Sequence, residues 1–161
     1  MKVLYAGSFD PVTRGHLDLI ERGSRLAEEM IVAVMINRNK RGWLSVEQRM
    51  ELLESVTAGI PNVRILSYPG LLMDCVRETG ADAVLRGVRS AMDFESEYTM
   101  AVINRQLGNV DTLMLPARPE LVGMSSSAVR ELVSFGGAID RLVPEGTDMK
   151  ILQMARENAM R

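Results

Sequence analysis

The feature that most constrains this chain is the alternation of short apolar runs with segments whose apolar residues recur at helical spacing. Val3–Ala6 is a β-type run ended by Gly7, and from His16 onward Leu19, Ile20, Gly23, Leu26, Ala27 and Met30 fall at helical intervals. Ile31–Ile36 is apolar at consecutive positions and rich in β-branched residues, as in a strand buried on both faces. Asn37–Gly42 is polar and basic, hence a loop. Ser45-Val46-Glu47-Gln48 reads as a capping box, followed by a helix with Val46, Met50, Leu53 and Val56 on one stripe. Further along, Val63–Leu66 is a strand, Leu71–Thr79 a helix stopped by Gly80, and Ala83–Leu85 another strand. Phe94, Tyr98, Ala101 and Val102 mark the next helix, and Thr112–Leu115 is a strand closed by Pro116. A helix starts near Ser125–Ser127 and ends at Gly136-Gly137. Pro144 precedes a terminal helix around Met149–Met160, about residues 145–160 as a C-terminal unit.

Five strands alternating with helices imply parallel βαβ units. The expected fold is α/β, a doubly wound (Rossmann-like) five-stranded parallel sheet with helices on both faces, and residues 1–161 form a single domain. In such sheets ligands sit outside the carboxyl ends of the strands, where strand order reverses. Site residues should therefore follow strands.

Composition narrows the function. Hydrophobic residues make up 47% and charged ones 25%, which fits a folded globular domain rather than a disordered or fibrous chain. A net charge of -2 argues against a general nucleic-acid or membrane-surface binder. The longest apolar run, Met30–Ile36, is far too short to span a bilayer as a helix. Gly7 also arrives too soon for a signal-peptide apolar region, so the expectation is a cytoplasmic protein. The lone cysteine, Cys75, leaves no intrachain disulfide or multi-cysteine metal site, and the lone histidine, His16, is the single candidate for imidazole chemistry.

The segment Gly7-Ser8-Phe9-Asp10-Pro11-Val12-Thr13-Arg14-Gly15-His16 leaves the first strand and enters the first helix. Gly7 permits a sharp turn near a ligand, Pro11 stiffens the loop, and Gly15 lets backbone approach a bulky group. His16 presents its ring at a helix N-terminus, where free N–H groups and the dipole favour phosphate oxygens and disfavour imidazolium. A neutral ring still carries one N–H donor. Arg86-Gly87-Val88-Arg89 follows the fourth strand and offers forked donors to phosphate. Asp93-Phe94-Glu95-Ser96-Glu97 opens the next helix, Gly123-Met124-Ser125-Ser126-Ser127 follows the fifth strand, and Lys40 lies in the basic loop with Arg38 and Arg41.

Gly-Ser-Phe-Asp-Pro followed by Gly-His is similar to the signature of the nucleotidyltransferase superfamily. With the Arg86–Arg89, Asp93–Glu97 and Gly123–Ser127 segments in this order, the chain resembles bacterial phosphopantetheine adenylyltransferases across essentially its whole length. Ser8 stands where threonine is frequent in that family, and Arg14 where asparagine is frequent. The resemblance implies transfer of the adenylyl group of ATP to 4′-phosphopantetheine, giving dephospho-coenzyme A and pyrophosphate. It implies His16 as the catalytic residue that stabilises the transition state. Ser8, Lys40 and Arg86 are then expected on the acceptor phosphate, and Leu72, with Met73, along the pantetheine arm. Ser8, Phe9, His16, Gly87, Val88, Arg89, Glu97, Leu121, Val122, Gly123, Met124, Ser125, Ser126 and Ser127 are expected at ATP. Magnesium should be held mainly by phosphate and water oxygens, with no protein metal ligands. A homohexamer and feedback binding of coenzyme A are further implications.

Two rival readings are a nicotinamide-mononucleotide adenylyltransferase and a non-catalytic sensor of adenine nucleotides. The first shares the opening motif, but its usual serine motif ends in Thr and Arg, unlike Ser125-Ser126-Ser127-Ala128. The second gives no reason to pair His16 with Lys40.

Overall fold

A computed structural model describes residues 1–37, 39 and 41–160. In chain order the strands are β1 (Lys2–Gly7), β2 (Glu29–Met35), β3 (Val63–Tyr68), β4 (Ala83–Val88) and β5 (Asp111–Pro116). The helices are α1 (Arg14–Leu26), α2 (Val46–Thr57), α3 (Leu72–Thr79), α4 (Ala91–Gly108), α5 (Ser126–Ser134) and α6 (Asp148–Ala159). A short 3-10 turn, Pro119–Leu121, lies between β5 and α5. The sheet is parallel throughout with strand order β3-β2-β1-β4-β5, the expected doubly wound topology.

Alternation along the central strand sorts the core into two layers, because successive strand side chains point to opposite faces. Val3 and Tyr5 of β1 join Leu19 and Ile20 of α1, Leu52 and Leu53 of α2, Val129 of α5 and Ile151 of α6. Leu4 and Ala6 face the other way, with Cys75 and Val76 of α3. Strand β2 is buried on both sides from Met30 to Val34, as its unbroken apolar run predicts.

Strand order reverses at β1, whose neighbours are β2 on one side and β4 on the other. Pairing between β1 and β4 ends at Tyr5↔Leu85, although the strands run on to Gly7 and Val88. The two carboxyl ends therefore part, and the crevice between them is where a doubly wound sheet binds its ligand.

The sequence placed Arg86, Gly87 and Val88 after the fourth strand; they are its last residues. They remain in the ladder because Arg86, Gly87 and Val88 pair with Met114, Leu115 and Pro116 of β5. The terminal helix begins at Asp148, within a residue of the expected Met149 but after the start of the wider 145–160 unit. Pro144–Thr147 forms a turn instead, closed by the Thr147 amide and hydroxyl donating to the Pro144 carbonyl at 3.1 and 2.7 Å. Helix α2 does begin at the expected capping box, Ser45 N–H donating to Gln48 Oε1 at 2.9 Å and Gln48 N–H to Ser45 Oγ at 3.2 Å. In α4, Phe94, Tyr98 and Val102 lie on the surface; its one buried residue is Asn104.

Candidate active site

The loop between β1 and α1 is fixed from several directions. Buried Asp10 accepts backbone N–H bonds from Trp43 at 2.7 Å and Leu44 at 2.8 Å. Arg49 Nη1 donates to the Ser8 carbonyl at 3.2 Å, Arg130 Nη1 to the Asp10 carbonyl at 2.6 Å, and Ser126 Oγ to the Pro11 carbonyl at 2.7 Å. Phe9 is buried with φ +47, an unusual backbone value for a non-glycine residue. A β-carbon at Gly7 would sit 3.2 Å from the Phe9 ring, so glycine there lets the ring fold beneath the loop.

That ring supports His16, with centroids 5.1 Å apart in an edge-to-face contact. Thr13 caps α1 reciprocally: its Oγ1 accepts from His16 N–H at 3.3 Å, and its own N–H donates to His16 Nδ1 at 3.0 Å. Because a backbone N–H can only donate, Nδ1 is the acceptor and the ring proton of neutral His16 lies on Nε2. Burial, and secondarily the positive charge of Arg89, pushes the His16 pKa down to about 4. His16 at neutral pH is thus an uncharged donor through Nε2.

Arg86 stands across the crevice. Its Nε and Nη2 donate to the two carboxylate oxygens of Glu97 at 2.5 and 2.6 Å, and Nη1 donates to the Ala6 carbonyl at 3.2 Å. The paired carboxylate raises the Arg86 pKa still further, so its charge is permanent. Arg89 is looser, its backbone N–H and Nε reaching Asp93 Oδ2 at 3.0 and 3.5 Å. Tyr5 sits behind this cluster, its phenol pKa raised by burial.

Two cavities meet here. One, of about 300 Å³, is lined by Tyr5–Ser8, Gly15, His16, Leu19, Arg86, Gly87, Arg89, Asp93, Glu97, Ala117, Leu121 and Met124–Ser126. The second, of about 590 Å³, is lined by Ala6–Ser8, Met35–Asn37, Pro69, Gly70, Leu72 and Arg86. Ala6, Gly7, Ser8 and Arg86 belong to both.

The first cavity thus gathers Ser8, His16, Arg86, Gly87, Arg89, Glu97, Leu121, Met124, Ser125 and Ser126 from the residues expected at the site. Leu72 lines the second beside Ser8 and Arg86. Phe9, Val88, Val122, Gly123 and Ser127 line neither, and Phe9 serves instead as the support of the histidine ring. Met73 packs against the core. Lys40 and its neighbour Arg38 lie outside the described residues. The serines divide their work: Ser125 Oγ caps α5 by accepting from Ala128 N–H, Ser126 ties down Pro11, and Ser127 Oγ accepts from Arg130 Nη2. Gly87 has a packing reason too, since a β-carbon there would overlap Leu19.

Sequence reasoning missed Arg49 and Arg130, and it quoted Thr13, Asp10 and Asp93 within motifs without giving them a role. Thr13 alone carried a local signal, a capping residue three positions before His16. The others act over 33 or more residues of separation or, as with Asp93, by holding a neighbouring arginine.

A doubly wound sheet with a neutral histidine donor and two arginines at its switch point defines the class: a phosphate-binding domain suited to nucleotidyl transfer. The cytidylyltransferase-like family model matches residues 4–132. The chain belongs to the phosphopantetheine adenylyltransferases within that group. It is 48% identical over 143 residues to the phosphopantetheine adenylyltransferase of Porphyromonas gingivalis, covering 89% of this chain and 94% of that one. The Clostridium perfringens relative of the same name is 47% identical, with 88% and 87% covered, and that of Clostridium kluyveri 41% identical, with 94% and 93% covered.

Solved structures share the fold at low identity. One, from Vibrio parahaemolyticus and described provisionally as a nicotinate-nucleotide adenylyltransferase, superposes with a TM-score of 0.66 at 14% identity. It covers 94% of this chain and 97% of its own. A lipopolysaccharide core biosynthesis protein from Thermoplasma volcanium gives 0.54 at 20% identity, covering 73% and 96%.

Proposed function

We propose that the protein transfers the adenylyl group of ATP to the 4′-phosphate of phosphopantetheine, giving dephospho-coenzyme A and pyrophosphate. The observation that carries this reading is the pair of cavities meeting at Ser8 and Arg86, with the His16 donor lining the first. ATP takes the cavity lined by His16, Arg89, Leu121 and Met124–Ser126. The acceptor takes the one lined by Leu72 and Pro69, whose apolar wall suits a pantetheine arm.

A phosphate oxygen of the acceptor attacks the α-phosphorus; as that bond forms, the bond to the β-phosphate bridging oxygen breaks and pyrophosphate leaves. The attacking group is already an anion, so no protein nucleophile or strong base is needed. Alignment and stabilisation of charge at the α-phosphate supply the acceleration. His16 is suited to the second task, because its proton sits on Nε2 and the Thr13 amide prevents the ring from turning over.

Magnesium would neutralise charge on the triphosphate. The cavity carboxylates Asp93 and Glu97 are each engaged by an arginine. Magnesium is therefore expected on phosphate and water oxygens. The proposal extends to a homohexamer with coenzyme A as feedback ligand in the cytoplasm. Exposed apolar residues of α4, Met92, Tyr98 and Leu107 among them, support a self-association surface. Among the described residues no helix is long and apolar enough to cross a membrane.

The test is pyrophosphate release from ATP and magnesium with phosphopantetheine, nicotinamide mononucleotide and glycerol phosphate as parallel acceptors. Release with phosphopantetheine alone is expected. Release with another acceptor would overturn the assignment of the second cavity, and ATP binding without turnover on any acceptor would overturn the enzymatic reading.

A further inference from the structure

Two residues beyond His16 on α1, Asp18 is a buried carboxylate that the adenylyl-transfer chemistry does not use. Two arginines reach it from different places. Arg118 Nε meets Oδ1 at 2.8 Å, and Arg22 Nη1 donates to Oδ2 at 3.0 Å. Arg22 Nη1 also donates to the Pro116 carbonyl at 2.8 Å. Asp18 is therefore the knot by which α1 holds the chain leaving β5.

That chain builds one wall of the cavity assigned to ATP, through Ala117, Leu121, Met124, Ser125 and Ser126. Among the described residues few other polar contacts tie it to the rest of the chain. Ala117 N–H donates to Val88 at 2.8 Å at one end, and Ser126 Oγ donates to Pro11 at the other. Between these, the backbone bonds of Leu121, Val122 and Met124 close on Arg118, Pro119 and Leu121, within the segment itself. Leu121 is the one buried residue from Arg118 to Gly123. On α1, His16 and Leu19 face the cavity while Asp18 lies on the adjacent stripe with Arg22, four residues on.

We infer that Asp18 is a positioning residue for the nucleotide. Through Arg118 and Arg22 it sets the 117–126 wall against the helix that carries His16, so the two sides of the ATP cavity keep a fixed separation. The inference rests on the proposed placement of ATP in that cavity, but not on the identity of the acceptor.

The experiment measures ATP dissociation constants directly by titration calorimetry, alongside separate KM values for ATP and phosphopantetheine. It compares wild type, Asp18→Asn, Arg118→Gln and the double variant. Loosening the wall should weaken ATP binding about tenfold in each single variant, with the KM for phosphopantetheine unchanged within about twofold. The double variant should be no weaker than the worse single one, because either change cuts the same link. A general loss of structure would instead move both substrates together. Should Asp18→Asn fail to fold, Arg118→Gln decides, since Arg118 is half exposed. Unchanged ATP affinity in folded variants, or fully additive losses in the double variant, would overturn the inference. Failure of phosphopantetheine to serve as acceptor would overturn the proposed reaction instead, and the ATP-binding comparison would still judge Asp18.

Discussion

Replacing His16 by alanine removes an uncharged N–H donor from the cavity assigned to ATP. The loss of a single preorganised donor to developing phosphate charge is worth about 2.7–4 kcal/mol, or roughly 10²–10³ in turnover. The structure adds a pH signature. The Thr13 amide fixes Nδ1 as acceptor, and burial with Arg89 pushes the ring pKa down to about 4. The donor is then the neutral ring from about pH 5 upward, and the advantage of wild type over His16→Ala should be flat between about pH 5.5 and 8. The assay is pyrophosphate release at saturating ATP and acceptor, read as the ratio of the two proteins at each pH. The acceptor phosphate itself ionises near about 6, but that affects both proteins and cancels in the ratio. A ratio that falls on passing upward through pH 6–7 would show an imidazolium donor and refute the argument. Stability gives a second reading of the same shift. The folded pKa lies below the unfolded value, so the unfolded chain takes up a proton first as pH falls. The neutral ring's contribution is complete above about pH 6.5 and is lost as pH falls through 4, by at most about 3.4 kcal/mol. Urea unfolding of wild type should show that loss, and His16→Ala should not.

Glu97→Ala leaves the half-buried Arg86 guanidinium without its two-pronged partner and should cost about 1–3 kcal/mol in urea unfolding; a cost below about 0.5 would mean the pair adds nothing. Asp10→Ala strands the Trp43 and Leu44 amides and should lower both stability, by about 2–3 kcal/mol, and turnover, since the signature loop loses its tie to the 43–44 backbone. An unchanged kcat in that variant would separate the loop anchor from catalysis. Gly87→Ala forces Leu19 aside at the cavity wall, with an expected stability loss of about 1–3 kcal/mol and weaker ATP binding by calorimetry. Wild-type affinity there would show that the wall yields without consequence.

The elements were legible because each carried a local signal. The uninterrupted apolar run of β2 could only be a strand covered on both faces, and Ser45 with Gln48 marked the start of α2 through short-range chemistry. Gly80, at φ +67, ended α3 where the pattern stopped. Errors arose where tertiary pairing overrode local composition. Arg86 and Gly87 look like loop residues, yet pairing with β5 draws them into β4. The cavity lining was readable in outline because its motifs end or follow strands β1, β4 and β5 in the chain. What could not be read was who holds whom. Nothing in sequence spacing says that Glu97 would take both prongs of Arg86, that Phe9 would turn beneath His16 rather than toward a ligand, or that Arg130 would reach back across 120 positions to Asp10.

The two arginines of the site differ in a way that bears on the order of events. A guanidinium has five N–H donors. Arg86 commits Nε and one proton on each terminal nitrogen to Glu97 and Ala6, which leaves one donor on Nη1 and one on Nη2. Two donors therefore remain for a further ligand while Glu97 stays bound. Its guanidinium is held by Glu97 and the Ala6 carbonyl where the two cavities meet. Arg89 is half exposed and meets Asp93 at 3.5 Å through Nε, so little holds its guanidinium in place. The fixed arginine lines both cavities, and the more loosely held one only the cavity assigned to ATP. A reaction that depends on aligning an attacking oxygen with the α-phosphorus gains most if the nucleophile's phosphate is held rigidly. On the proposed placement of ATP, the more loosely held donor lies with the polyphosphate, whose charge must be followed as pyrophosphate departs.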